Sequence, residues 1–291
     1  MKYLITGYKG QLGYDIKREL LKRNIKETDI LAVDKEEMDI TNEKEVNKII
    51  STFHPDVIFH CAAFTAVDKA EEMGDSAYNI NVIGTKNIVN ASLKENAVIV
   101  YMSTDYIFDG TKDGYYTETD KVNPKSVYGK TKYLGEEEVR RNKKHFITRI
   151  SWVFGINGNN FVKTMLKLSE TNKTLNVVND QIGSPTYTVD LAKVLVDMVN
   201  TDKYGTYNVT NEGICSWALF AKTIFNIFNK EVEVNEVSTL EYLDITKKSQ
   251  AYRPKNSKFS KDKLEKNGFT RLPSFEDALK RYKIELTKDS K

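Results

Sequence analysis

The sequence predicts an α/β fold: a doubly wound parallel sheet with helices on both faces and a smaller α/β region toward the C-terminus. Three observations carry that expectation. Short apolar runs of strand length alternate with amphipathic helical stretches up to about residue 150. Glycines cluster directly after the first of these runs. Beyond Trp152 the rhythm loosens, so the second region is smaller and less regular.

Tyr3–Thr6 is the first expected strand, followed by Gly7, Gly10 and Gly13, while Leu12, Ile16, Leu20 and Leu21 open a helical face. Strand, glycine turn and helix in that order begin a dinucleotide-binding unit. The backbone must approach a pyrophosphate closely, and the helix N-terminus offers unpaired N–H groups to the anion. The Gly-x-x-Gly-x-x-Gly spacing misses the tighter Gly-x-Gly-x-x-Gly fingerprint by one position, and a plain tight turn is the simpler alternative. A second strand, Ile30–Val33, ends in Asp34, which can accept hydrogen bonds from an adenosine ribose and repel a 2′-phosphate. Lys35 offsets that repulsion, so the choice between NADH and NADPH stays open. Asp39 and Thr41 either follow the adenine or cap a helix over Glu43–Phe53.

A third strand at 56–59 leads into the small residues Ala62 and Ala63, which let a loop lie against a flat cofactor, with His60 packed beneath. A helix over 76–95 contains Asn79, Asn81 and Gly84, the glycine marking close packing. The fourth strand, 98–101, delivers Ser103, Thr104 and Asp105 to a strand's carboxyl end, where open α/β sheets bind ligands. A polar loop turning at Asp109 and Gly110 is the alternative.

Pro124 closes the next loop, and Ser126 can cap a helix reaching about Arg140, on which Tyr128 and Lys132 stand one turn apart. A free phenol, with a pKa of about 10, is a poor acid at neutral pH; an adjacent ammonium favours the phenolate. Lys132 is therefore expected to lower the Tyr128 pKa, so that the phenol can protonate a carbonyl oxygen receiving a hydride. An isolated Tyr-x-x-x-Lys pair also arises on ordinary surface helices, but Thr104 upstream makes a three-part constellation. A fifth strand at 146–150 completes the regular part. A helix at Phe161–Leu168, a strand at 175–178, a loop at 180–188 and an apolar helix at 189–200 follow. A strand at 205–209 returns to the sheet, then come a helix at 216–228, a strand at 232–237 and a polar tail of short helices. The expected division is a dinucleotide-binding domain at 1–154, with 187–212 returning to it, and a substrate-binding region at 155–186 and 213–291.

With 291 residues, 40% hydrophobic and 29% charged, the composition is that of a globular domain. A net charge of +3, spread along the chain, argues against nucleic acid as a partner. No apolar run is long enough to span a membrane and no signal peptide is apparent, so a cytoplasmic location is expected. Two cysteines and three histidines show no metal-ligand spacing.

Taken together, these residues resemble the extended short-chain dehydrogenase/reductases, Rossmann-type enzymes acting on nucleotide-linked sugars, and within them the dTDP-4-dehydrorhamnose reductase family. The resemblance rests on Gly7, Gly10, Gly13, Asp34, Ala62, Ala63, Asn81, Ser103, Thr104, Tyr128 and Lys132. It rests also on Ala66-Val-Asp-Lys-Ala-Glu71, Ser103-Thr-Asp-Tyr-Ile-Phe108, Arg149-Ile-Ser-Trp-Val-Phe154 and Asn159-Asn-Phe-Val-Lys-Thr-Met165. Asn179-Asp-Gln-Ile-Gly-Ser-Pro-Thr186 and Arg253-Pro-Lys-Asn-Ser257 extend it across most of the chain. It implies hydride transfer from NADH or NADPH to the C4 carbonyl of a dTDP-linked 4-keto-6-deoxy sugar, yielding dTDP-L-rhamnose. Tyr128 would be the acid, Thr104 the hydrogen-bond partner of the oxygen, and Lys132 the ligand of the nicotinamide ribose. Gly7, Gly10, Gln11, Leu12 and Gly13 would meet the pyrophosphate, Asp34, Asp39 and Ile40 the adenosine, and Ala63, Phe64 and Thr65 the rest of the cofactor. Asp105, Trp152 and Arg253 would contact substrate, a core tryptophan being the alternative for Trp152. Some bacterial members are magnesium-linked dimers. Asp15 stands where one interfacial acid would be, but Asp190 is out of register, so no metal is expected and a homodimer stays open. Two further readings remain: an epimerase or dehydratase on the same fold, and a non-catalytic NADP-binding regulatory subunit.

Overall fold

The computed structural model describes residues 1–247 and 250–289. Six parallel strands form the central sheet: β1 (Tyr3–Thr6), β2 (Ile30–Val33), β3 (Val57–His60), β4 (Val98–Thr104), β5 (His145–Ile150) and β6 (Gly205–Asn208). They lie in the order β2-β1-β3-β4-β5-β6. The order reverses between β1 and β3, which opens a crevice at their carboxyl ends.

Successive side chains point to opposite faces of the sheet, and each face has its own core. Tyr3, Ile5, Val57, Phe59, Val100, Phe146 and Tyr207 meet Leu12, Ile16 and Leu20 of α1 (Gln11–Lys22) and Leu191 and Leu195 of α5 (Thr188–Met198). On the opposite face, Leu4, Ile58, Ile99, Tyr101 and Ile147 meet Val46 and Ile50 of α2 (Glu43–Phe53). Ile88 and Val89 of α3 (Thr85–Lys94) and Val139 of α4 (Val127–Val139) complete that layer. Burying each such large aliphatic side chain is worth about 1.5–3 kcal/mol.

A buried ion pair also joins α4 to the sheet. Arg149 of β5 sends Nε and Nη2 to the Glu136 carboxylate at 3.1 and 3.0 Å, while its Nη1 donates to the Glu118 carbonyl. Arg149 and Glu136 side chains are 2% and 0% exposed. The smaller region packs Phe154, Val162, Met165, Phe220, Phe225, Leu279 and Tyr282 into a separate core. Its elements include α6 (Trp217–Phe228), α7 (Phe275–Asp289) and two parallel strands, Thr174–Val178 and Glu233–Val237.

Several expected boundaries move for identifiable reasons. β4 runs on to Thr104 because Ser103 and Thr104 pair with Arg149 and Ile150, so the hydroxyls expected just past residue 101 belong to the strand itself. β3 starts one residue late, since Asp56 turns its carboxylate to the Lys2 N–H at 2.7 Å. The single helix expected over 76–95 is broken into Gly74–Tyr78, a wide π turn at Asn79–Gly84, and α3. The cap of α2 is Asn42, not Asp39 or Thr41; Asp39 instead accepts from the Thr41 N–H and hydroxyl at 2.9 and 2.7 Å. The tail is not only short helices, because α7 has 15 residues and packs Phe275 against Phe220. No described helix is long and apolar enough to cross a membrane.

Candidate active site

The crevice forms a cleft of about 1060 Å³. At one end lies the turn after β1. Gly7 adopts φ +66°, and a Cβ on it would fall 2.8 Å from the Ala62 backbone. A Cβ on Gly13 would fall 2.5 Å from the Gly7 carbonyl oxygen. Both glycines are thus demanded by close backbone approach. Gly10 caps α1 without a side-chain hydrogen bond, and Gly10, Gln11 and Leu12 line the cleft, so the first-turn N–H groups remain available to an anion. This is the cradle a dinucleotide pyrophosphate requires.

Asp34 directly follows β2 at the cleft wall, its carboxylate accepting from the N–H groups of Lys9 at 3.2 Å and Lys35 at 2.8 Å. The Lys9 ammonium is drawn aside to Glu36 at 2.9 Å. Asp39, Ile40, Ala63 and Thr65 also line the cleft. Phe64 does not; its N–H donates to Asn81 Oδ1 at 2.8 Å and its carbonyl accepts from Asn81 Nδ2 at 3.2 Å. Beneath this loop His60 sits between the Thr6 and Thr85 hydroxyls at 2.8 and 3.1 Å. Burial, with Lys132 nearby, lowers its pKa to about 3 and keeps it neutral.

Thr104, Tyr128 and Lys132 all line the same cleft. Ser126 caps α4 by accepting the Gly129 N–H at 3.1 Å, and a Cβ on Gly129 would meet the Tyr106 carbonyl oxygen at 2.2 Å. Tyr106 packs edge-on against the Tyr128 ring, centroids 5.4 Å apart. Lys132 lies over the Tyr101 ring, 4.1 Å from its centroid.

The electrostatics differ from the expected acidification of Tyr128 by Lys132. Burial pushes the phenol well above its ordinary range; a Thr104 hydrogen bond opposes this, and the Asp105 and Tyr106 charges add to it. Burial lowers Lys132 to about 7, against the pull of Glu136 and Cys61. Both groups lose water, which shifts each toward its neutral form.

Asp105, 4% exposed, lies beside Thr104 and accepts the Ser257 hydroxyl at 2.6 Å. Trp152 lines the cleft with φ +51°, its ring stacked on Trp217 with centroids 3.7 Å apart. Arg253 does not line the cleft; its guanidinium is held by Asp68 at 2.8 and 3.0 Å and by the Tyr106 hydroxyl at 3.0 Å. Sequence reasoning passed over Trp217 and assigned Ser257 no role. The signal for Trp217 was its rarity, since the chain has only two tryptophans and they meet here. Asp15 is engaged by the Thr188 hydroxyl and Arg18, and Asp190 by Arg281 and Asn211. Among the described residues, no group of three or more His, Cys, Asp or Glu side chains is arranged to hold a metal ion.

The family described as RmlD substrate binding domain matches residues 1–287. A dTDP-4-dehydrorhamnose reductase of Aggregatibacter actinomycetemcomitans is 43% identical over 275 residues, covering 86% of this chain and 93% of the relative. A crystal structure of a dTDP-4-dehydrorhamnose reductase from Clostridium acetobutylicum superposes with a TM-score of 0.93 at 44% identity, covering 99% of this chain and 100% of that one. The Bacillus anthracis dTDP-4-dehydrorhamnose reductase, solved in complex with NADP, gives 0.92 at 44% identity, covering 98% and 100%. The chain belongs to the RmlD substrate binding domain family.

Proposed function

We propose that the protein is an NAD(P)H-dependent reductase that converts the C4 keto group of dTDP-4-dehydro-6-deoxy-L-mannose into the hydroxyl of dTDP-L-rhamnose. The observation carrying this reading is the convergence of Thr104, Tyr128 and Lys132 in one cleft with the glycine cradle of α1. Full-length similarity to reductases of that name supports it. When bound, the dihydronicotinamide supplies a hydride. Gly7, Gly10, Gln11, Leu12 and Gly13 hold the pyrophosphate; Asp34, Asp39 and Ile40 face the adenosine, and Ala63 and Thr65 lie further along. Phe64 serves through its backbone, which Asn81 fixes. Lys132 binds the nicotinamide ribose.

Tyr128 donates its proton to the nascent alkoxide, and Thr104 hydrogen-bonds the same oxygen. A raised phenol pKa does not oppose this role, because the phenol stays fully protonated until a much stronger base forms beside it. Asp105 and Trp152 contact the sugar, and Arg253 exchanges Asp68 for a substrate phosphate oxygen. The division into 1–154 with 187–212 and 155–186 with 213–291 belongs to the same reading, supported by the pairing of β6 with β5 and the packing of α5 on α1. So does a cytoplasmic enzyme, with a homodimer left open, tested by fractionation and sedimentation.

The decisive assay supplies enzymatically made dTDP-4-keto-L-rhamnose with NADH or NADPH. Stoichiometric cofactor oxidation with formation of dTDP-L-rhamnose is expected. An epimerase or dehydratase would return the hydride within its cycle and consume no added cofactor, and a regulatory subunit would turn over nothing. Tyr128→Phe should lower kcat by about 10²–10⁴-fold while cofactor binding persists; undiminished turnover would remove Tyr128 from the acid role.

A further inference from the structure

The Thr104 hydroxyl has one proton, and the Asp105 carboxylate accepts it. Its Oγ1 donates to Asp105 Oδ1 at 3.1 Å, accepts the Tyr106 N–H at 3.3 Å and lies near enough to the Tyr128 phenol to oppose the rise in its pKa. Asp105 Oδ2 accepts the Ser257 hydroxyl at 2.6 Å. Thr104, Asp105 and Ser257 are all more than nine-tenths buried, so bulk water does not replace these bonds. While Asp105 is ionised, both hydroxyls must aim their protons at it, and Thr104 has none left for a substrate oxygen. Once Asp105 is protonated, its own O–H can donate to Thr104 Oγ1, which frees the Thr104 proton to turn into the cleft.

We propose that Asp105 and Ser257 are positioning residues for the reduction: the carboxylic acid form of Asp105 turns the Thr104 hydroxyl toward the keto oxygen, and Ser257 governs how readily that form is lost. The inference rests on the reading that this oxygen lies against Thr104 and Tyr128. Asp105 gives up no proton in turnover. The sugar carbonyl carbon gains the cofactor's hydride, its oxygen gains the Tyr128 proton, and solvent reprotonates the phenolate. Burial raises the Asp105 pKa to about 6, against the Ser257 and Thr104 hydrogen bonds, a backbone hydrogen bond and the Arg253 charge. Tyr106 in the same turn and Tyr128 of α4 are the other titratable neighbours, with Asp68 behind Arg253.

The test is the pH profile of kcat between about pH 5 and 9, where carboxylates of this kind and buried lysines titrate. The wild-type rate is expected to fall with rising pH as Asp105 ionises. Ser257→Ala removes a donor to the carboxylate, so the falling limb should move to higher pH. Asp105→Asn, whose amide N–H can donate to Thr104 at every pH, should abolish that limb, whereas Asp105→Ala should lower kcat about tenfold or more throughout. Lys132 also titrates near neutrality, governed by burial, Glu136 and Cys61. A limb that Ser257→Ala leaves in place, or that survives in Asp105→Asn, therefore belongs elsewhere and overturns the proposal. Thermal melts and cofactor titrations verify that each variant is folded. Carboxyl-carbon NMR of Asp105 gives a readout independent of turnover: its midpoint should rise in Ser257→Ala, and an unmoved midpoint refutes the coupling. Absence of any cofactor oxidation by the wild type would instead refute the functional reading, while the NMR titration still reports on the Ser257–Asp105 link.

Discussion

Lys132 is held where ammonium and amine are nearly balanced at neutral pH, with 3% exposure and a pKa drawn down to about 7. If its charged form binds the cofactor ribose, affinity for NAD(P)H should weaken as pH rises through about 7, because the charge is present below that value and lost above it. Dissociation constants measured across this range should show the decline in the wild type and not in Lys132→Met. Gly13 makes the sharper steric case. Gly13→Ala places a methyl 2.5 Å from the Gly7 carbonyl oxygen and 2.7 Å from Tyr8 Cα, both backbone atoms. The turn must open, and cofactor affinity should fall at least about tenfold, the scale of a lost charge-assisted hydrogen bond. At this scale the sequence disclosed residue types and spacing well. Tyr128 and Lys132 fell on one helix face because a four-residue step fixes that. It could not disclose the sign of the pKa shifts, since burial depends on loops and strands distant in the chain.

The wide turn at Asn79–Gly84 shows what periodicity conceals at the level of elements. Asn81 Nδ2 donates to both the Phe64 carbonyl and Thr131 Oγ1, at 3.2 and 3.0 Å, while its Oδ1 accepts the Phe64 N–H. One side chain therefore ties the loop around Phe64 to α4. Asn81→Ala should cost about 2–4 kcal/mol, from three net hydrogen bonds and a stranded amide, read by denaturant unfolding. An extra residue per turn leaves no mark in a hydrophobic pattern, so the sequence showed a continuous helix; only Asn81 and Gly84 hinted at the interruption. Strand ends were similarly hidden, as β4 gains Ser103 and Thr104 through pairing rather than apolarity. Asp15 adds a pH signature to α1. Burial lifts its pKa to about 6 from an ordinary 3.8, against the Thr188 bond and Arg18. The native state then holds the proton more tightly than the unfolded chain, so its contribution is full below about pH 4 and lost as pH rises through about 6. The melting temperature of Asp15→Asn relative to wild type should therefore increase between those values.

The two regions of the whole molecule are interleaved, not joined by one hinge. The chain leaves the sheet after β5, returns through α5 and β6, and leaves again toward α6. Asn157 Nδ2 meets the Lys9 carbonyl at 2.6 Å, Asn160 Nδ2 meets Gln11 Oε1 at 3.0 Å, and Arg253 reaches Asp68. The alternating first half was legible because each strand and helix follows its predecessor locally. These later ties were not, because they join residues more than 140 positions apart. Arg149 and Glu136 form a buried ionic tie within the first region. Arg149→Ala would leave the buried Glu136 carboxylate with Arg140 alone, at 2.8 Å, and should cost up to about 3–5 kcal/mol, whereas replacing both Arg149 and Glu136 with fitted apolar residues should cost less.

The contact of the two indoles has an optical corollary. Trp152 follows β5 and Trp217 opens α6, and both face the cleft where a dihydronicotinamide would lie. Indole emission overlaps the absorption of reduced nicotinamide, so the protein carries its own energy-transfer donor. Because these are the chain's two tryptophans, all of its indole emission comes from this spot. Loading with NADH or NADPH should dim that light without any added dye, and oxidation should restore it, making each turnover visible from within the fold.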